Sequence, residues 1–145
     1  MFTQRIIHGL TPSIITGLVC LTLQTNPAMA ANEYTSEYTG AYLHQTIEQN
    51  SAPVILDVRS TEEFNEGHIE GAQHVPFDTV KAHLKQLPTD RNQAIVVYCH
   101  SGGRAEDAMD TLRALGFTNV SELKGHYRAW KKENRPLVTP ASEHR

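Results

Sequence analysis

Cysteine is scarce in this chain. Cys20 and Cys99 are the only two in 145 residues, and tryptophan occurs once. Positive charge is also short, with 13 Lys and Arg against 16 Asp and Glu and a net charge of −3. No basic patch with interleaved aromatics is present, which argues against nucleic acid as a partner. No apolar run reaches the about 20 residues needed to span a bilayer. None of the eight histidines has metal-ligand spacing to acidic or thiol partners, so neither a metal nor an organic cofactor is expected. There is no internal repeat and no low-complexity segment.

The longest apolar stretch, "IITGLVCLTL" over residues 14–23, lies behind Arg5 and ahead of "NPAMA". A positive start, a ten-residue apolar centre and an A-x-A ending at Ala30 read as a secretory signal over residues 1–30. An uncleaved anchor or a buried helix is the alternative. Cleavage leaves 115 residues, one ordinary domain, with 12 basic residues against 16 acidic ones. It also removes Cys20. The exported protein, expected in the periplasm and free of the membrane, then carries one thiol and no internal disulfide. A lone thiol there is either a reactive or bridging group or a buried cysteine packing as a small hydrophobe.

The rest alternates between two periodicities. Residues 31–37 are polar and read as a loose lead-in, and 139–145 as a tail; the domain is assigned to 38–138. Tyr42, Leu43 and Ile47 have helical spacing. "VILDV" (54–58), nearly continuous but for Asp57, and "AIVVY" (94–98) are apolar runs rich in β-branched residues, as in strands buried on both faces of a parallel sheet. Ser60 and Glu63 form a capping-box pattern that predicts a helix start, with Gly67 its end. "GAQHVP" (71–76) predicts a short strand. Asp78 is expected to cap a helix with Val80, Leu84 and Leu87 as its stripe. Ala105, Ala108, Met109, Leu112 and Leu115 mark a further helix stopped by Gly116. "VSEL" (120–123) predicts a strand and "HYRAWKKEN" (126–134) a closing helix. Strand–helix alternation implies an α/β domain, a parallel sheet flanked by helices, and ligands of such sheets sit at the carboxyl ends of strands.

Cys99 is at such an end, in "VVYCHSGGRAEDAM" (96–109). The thiolate is the nucleophile, and a free cysteine with a pKa of about 8.5 is mostly protonated at neutral pH, so reactivity requires support for the anion. His100, Ser101, Gly102, Gly103 and Arg104 lead into a helix whose first N–H groups are unpaired. The glycine pair permits a curl that turns these groups onto the sulfur. Arg104 adds a permanent charge, placed against the preference of a helix start for acids. His100 is expected to face the mouth of the site. The alternative is a tight turn followed by a solvated arginine.

"CHSGGR" resembles the C-x-x-G-x-R loop of single-domain rhodaneses. "DVRSTEEFNEGHIEGAQHVP" (57–76) and "ALGFTNVSELKGHYRAW" (114–130) are similar to that family's flanking segments. Export makes the chain most similar to small periplasmic thiosulfate sulfurtransferases of the phage-shock type. The resemblance implies a rhodanese-like fold. It implies a Cys99 persulfide formed from a small anionic donor such as thiosulfate, with transfer to cyanide, a thiol or a protein acceptor, by a monomer without cofactors. It assigns Cys99 as catalytic and residues 100–104 as the anion cradle. Arg59, Asp57, Glu63 and His68 fall to the scaffold, with Arg59 paired to a glutamate such as Glu63 and otherwise able to reach the site as a supporting residue. His126 stands where the family usually has a second glycine. It reads either as an exposed histidine at a helix start or as a titratable donor near the anion. Two other readings are a sulfur carrier serving one protein partner and a dual-specificity-type phosphatase. The phosphatase loop has five residues between cysteine and arginine, whereas four separate Cys99 from Arg104.

Overall fold

The computed structural model describes residues 37–143. The signal reading over 1–30 and nearly all of the lead-in lie outside the described residues. The elements are β1 (Glu37–Tyr38), α1 (Gly40–Glu48), β2 (Val54–Asp57), α2 (Thr61–Glu66), β3 (Ala72–His74), β4 (Ile95–Tyr98), α3 (Gly103–Ala114), β5 (Val120–Leu123), α4 (His126–Lys132) and α5 (Pro140–Glu143). A 3-10 turn at Phe77–Thr79 follows β3.

The five strands form one parallel sheet in the order β1-β5-β4-β2-β3. Alternate side chains of the central strands enter opposite cores, as the two-residue period requires. Leu56, Ile95, Val97 and Val120 pack with Ala105, Ala108, Met109 and Leu112 of α3. Ile55, Val96, Tyr98 and Leu123 pack with Leu43 of α1 and with Tyr127 and Trp130 of α4. Burial on both faces is why β4 and β2 up to Asp57 are apolar runs, each buried large side chain contributing about 1.5–3 kcal/mol.

The topology also fixes where a ligand can bind. After β2 the chain moves outward to β3 and then returns to place β4 on the other side of β2. Connections leaving the carboxyl ends of β2 and β4 therefore diverge, opening a crevice between them. Asp57 pairs with Tyr98 across the two strand ends. The segments at 58–60 and 99–103 consequently lie side by side.

Several local expectations change. The capping box is present: Ser60 Oγ accepts from Glu63 N–H and Glu63 Oε2 accepts from Ser60 N–H. The helix expected after Asp78 is instead the 3-10 turn and successive turns over 80–86. It starts at Pro76 with no side-chain cap, and its bonds run mostly three residues apart, Ala82 N–H to Thr79 O and Gln86 N–H to His83 O, with His83 N–H shared between Val80 O and Thr79 O. Val80 and Leu87 are buried and Leu84 is 40% exposed; two anchors seven positions apart do not require α geometry. In α1 Leu43 and Thr46 are buried and Ile47 packs on the same core as expected, while Tyr42 is exposed. The lead-in ends in β1, a two-residue edge strand held by backbone pairing to β5 and by Tyr38 packing on the core. The tail contains α5. Among the described residues no helix is long and apolar enough to cross a membrane, and no cluster of His, Cys, Asp and Glu could hold a metal ion.

Candidate active site

Cys99 is the first residue after β4 and is buried. Two amides at the start of α4 hold the chain there, Tyr127 N–H on Cys99 O at 3.0 Å and Arg128 N–H on His100 O at 3.2 Å. The backbone then turns around the sulfur. Gly102 has φ 130° and ψ −53°, open to glycine because a β-carbon would be strained there. In that conformation its N–H donates to Cys99 Sγ at 3.0 Å. Its carbonyl accepts from Ala105 and Glu106 N–H and starts α3. One residue thus aims a donor at the sulfur and launches the helix. Gly103 does neither: its φ is not positive, and a β-carbon there would meet nothing within 4 Å. His100 and Ser101 are exposed.

Arg104 is not a free cation. Its guanidinium binds Glu63 through both forks, at 2.6 and 3.0 Å. Glu63 therefore caps α2 and anchors the first turn of α3 with one carboxylate. The Arg104 hydrogen bonds hold its pKa down to about 2, with burial opposing and the Ser60 amide assisting. The same pair raises the pKa of Arg104, to which the charge of Cys99 adds.

Arg59 corrects a second expectation. Its partner is Asp57, not Glu63: Nε donates to both carboxylate oxygens at 2.9 and 3.0 Å, and a terminal nitrogen donates to Gly67 O at 2.8 Å. Both side chains are buried. Burial works against the Arg59 charge, but the Asp57 contacts outweigh it and the pKa is raised. The guanidinium lies 3.8 Å from the centre of the Tyr127 ring, an attraction of cation and π face. Arg59 thereby ties β2 to α4 beneath the site. His68 is buried, stacked on Phe64 with Nδ1 3.0 Å from Phe64 O. His126 is buried rather than exposed. Burial lowers its pKa and the neighbouring Glu122 partly offsets this.

An open cleft of about 520 Å³ adjoins the loop, lined by His100, Tyr127, Arg128, Lys131, Lys132, Arg59, Glu63 and Glu66. The basic residues of α4 belong to no motif, although Arg128, Lys131 and Lys132 have the three- and four-residue spacing that groups them on one helical face. What the sequence does not show is that this face borders His100.

A sulfur at a strand end, with a backbone N–H on it and cations beside it, defines a cysteine site suited to anionic reactants. The chain matches the rhodanese-like domain family over residues 39–133 and belongs to that family. It is 30% identical over 105 residues to a sulfurtransferase of Allochromatium vinosum, covering 72% of this chain and 96% of that one. It is 31% identical over 70 residues to the thiosulfate sulfurtransferase PspE of Escherichia coli, covering 48% and 67% respectively. Among solved structures, the Alr3790 protein of Anabaena superposes with a TM-score of 0.63 at 30% identity, over 73% of this chain and 89% of that one. These findings support a sulfurtransferase family with a sulfur donor and a sulfur acceptor.

Proposed function

We propose that this protein is a thiosulfate sulfurtransferase that works through a Cys99 persulfide, exported to the periplasm by residues 1–30 and active as a monomer of the phage-shock type. The observation that carries the reading is the Gly102 N–H donated to Cys99 Sγ inside a loop bordered by a basic cleft. A sulfur that accepts a backbone hydrogen bond is supported as an anion. The Cys99 thiolate attacks the outer sulfur of thiosulfate. The S–S bond of thiosulfate breaks and its electron pair leaves on sulfite. A cyanide or thiolate acceptor then attacks the terminal sulfur of the persulfide, and the electrons of that S–S bond return to Cys99 Sγ. This is covalent ping-pong catalysis. Arg128, Lys131 and Lys132 raise the local concentration of the anionic donor. Arg104, paired with Glu63, anchors the first turn of α3 and adds its charge to the electrostatic surroundings of Cys99.

The deciding experiment is the intact mass of the reduced protein after thiosulfate, beside Cys99→Ser. The reading requires a gain of one sulfur atom, removed by cyanide or a thiol and absent from the variant. No gain in folded, reduced protein rejects thiosulfate as donor. Sulfur gained but not passed on to any small acceptor in steady state replaces the enzyme with a carrier for a single protein partner.

A further inference from the structure

His126 is held at a cost. Its φ of 54° lies in the left-handed region, where residues with a β-carbon are strained by roughly 1–2 kcal/mol. The other two described residues with a positive φ besides glycines are asparagines, whose side chains tolerate that region. The His126 side chain is buried, yet Nδ1 has no hydrogen-bond partner. Strain and an unsatisfied buried nitrogen persist where the surrounding structure over-determines them, and such places cluster at functional sites.

The surroundings say what holds the ring. A β-carbon built on Gly102 would lie 3.3 Å from His126 Nε2 and 3.7 Å from Cδ2. The ring therefore stands against the face of Gly102 that lacks a side chain. Glu122 Oε2 is 3.5 Å from the same Nε2. A neutral ring with its proton on Nε2 faces that carboxylate and leaves Nδ1 as a bare acceptor, the cheaper kind of buried orphan. The start of α4 thus grips the loop at three successive residues. Tyr127 and Arg128 do so by their backbone N–H groups on Cys99 O and His100 O, and His126 by its side chain on Gly102. Gly102 is the residue of the 99–104 loop with a positive φ, and its N–H is the one on Sγ.

We propose that His126 is a positioning residue for sulfur transfer: its ring is the wall that keeps the Gly102 peptide turned so that its N–H points at Cys99 Sγ. The role rests on the sulfur-transfer reading above, and it acts through shape rather than through a proton. Without the wall, Gly102 can rotate its amide away from the sulfur, and the loop loses donor geometry but not its cationic surroundings. The loss falls on the chemical step, not on the capture of the donor.

The test compares His126→Gly and His126→Gln with the otherwise unchanged protein. Glycine suits φ 54° and empties the space beside Gly102. Glutamine carries an amide nitrogen at the reach of imidazole Nε2 and does not titrate. Hydrogen exchange of the 99–104 backbone reads the loop without any substrate, and steady-state kcat and KM for thiosulfate read the reaction. In His126→Gly, exchange at Gly102 is expected to quicken about tenfold. The kcat should fall about tenfold with KM within about twofold. His126→Gln should restore both. Unchanged exchange, unchanged kcat, an effect confined to KM, or failure of His126→Gln to rescue overturns the proposal. If the unaltered protein takes no sulfur from thiosulfate, it is the sulfur-transfer reading that fails, and the exchange comparison still decides whether His126 walls the loop.

Discussion

Glu63→Gln isolates one interaction, because glutamine can keep the capping box while the charge on Arg104 loses its partner. The magnitude follows from geometry. The pair is bidentate at 2.6 and 3.0 Å, but each side chain is 31% exposed. The Glu63 pKa is lowered from 4.5 to about 2, chiefly by Arg104. Unscreened, that depression is worth about 3 kcal/mol. Solvent at both side chains reduces it to about 1 kcal/mol, the upper range for exposed pairs. Because the folded-state pKa is depressed, the contribution is fully present above the unfolded value of about 4.5 and disappears as pH falls through about 2. Urea unfolding should therefore show Glu63→Gln less stable by about 1 kcal/mol near pH 7, with more than half of that difference gone near pH 3. Freed of Glu63, Arg104 should also lower KM for thiosulfate. A stability difference of equal size at both pH values would refute the electrostatic reasoning and assign the loss to packing.

Asp57→Asn leaves the buried Arg59 without its carboxylate and should cost about 3–5 kcal/mol in denaturant unfolding; a cost under about 1 kcal/mol would show that Gly67 O and the Tyr127 ring suffice. Gly102→Ala combines a φ of 130° with a close approach to His126, so it should destabilise by about 1–3 kcal/mol and slow sulfur loading in the intact-mass assay. Gly103→Ala, with open space at the β-carbon, should stay within about 0.5 kcal/mol of the unaltered protein; equal effects at the two glycines would contradict the loop geometry.

The amino-acid sequence by itself determined what depends on near neighbours. Contiguous apolar runs announce β2 and β4, because burial on both faces demands them. Ser60 and Glu63 announce the start of α2, because both halves of the box lie within four residues. Cys99 between a strand and a glycine-containing turn announces the loop, and the three motif segments announce the family. The same local rules failed after Asp78, where apolar spacing alone does not distinguish a helix from a run of turns pinned at Val80 and Leu87. Only the tertiary structure decided which charges meet. Glu63 reaches Arg104 across 41 positions, which takes it from Arg59 and leaves Arg59 to Asp57, two positions away. The basic face of α4 borders His100, and His126 is enclosed beside Gly102, because β5 brings the start of α4 against the end of β4. Spacing along a chain carries no record of such encounters: they arise when the sheet order sets two distant strand ends side by side.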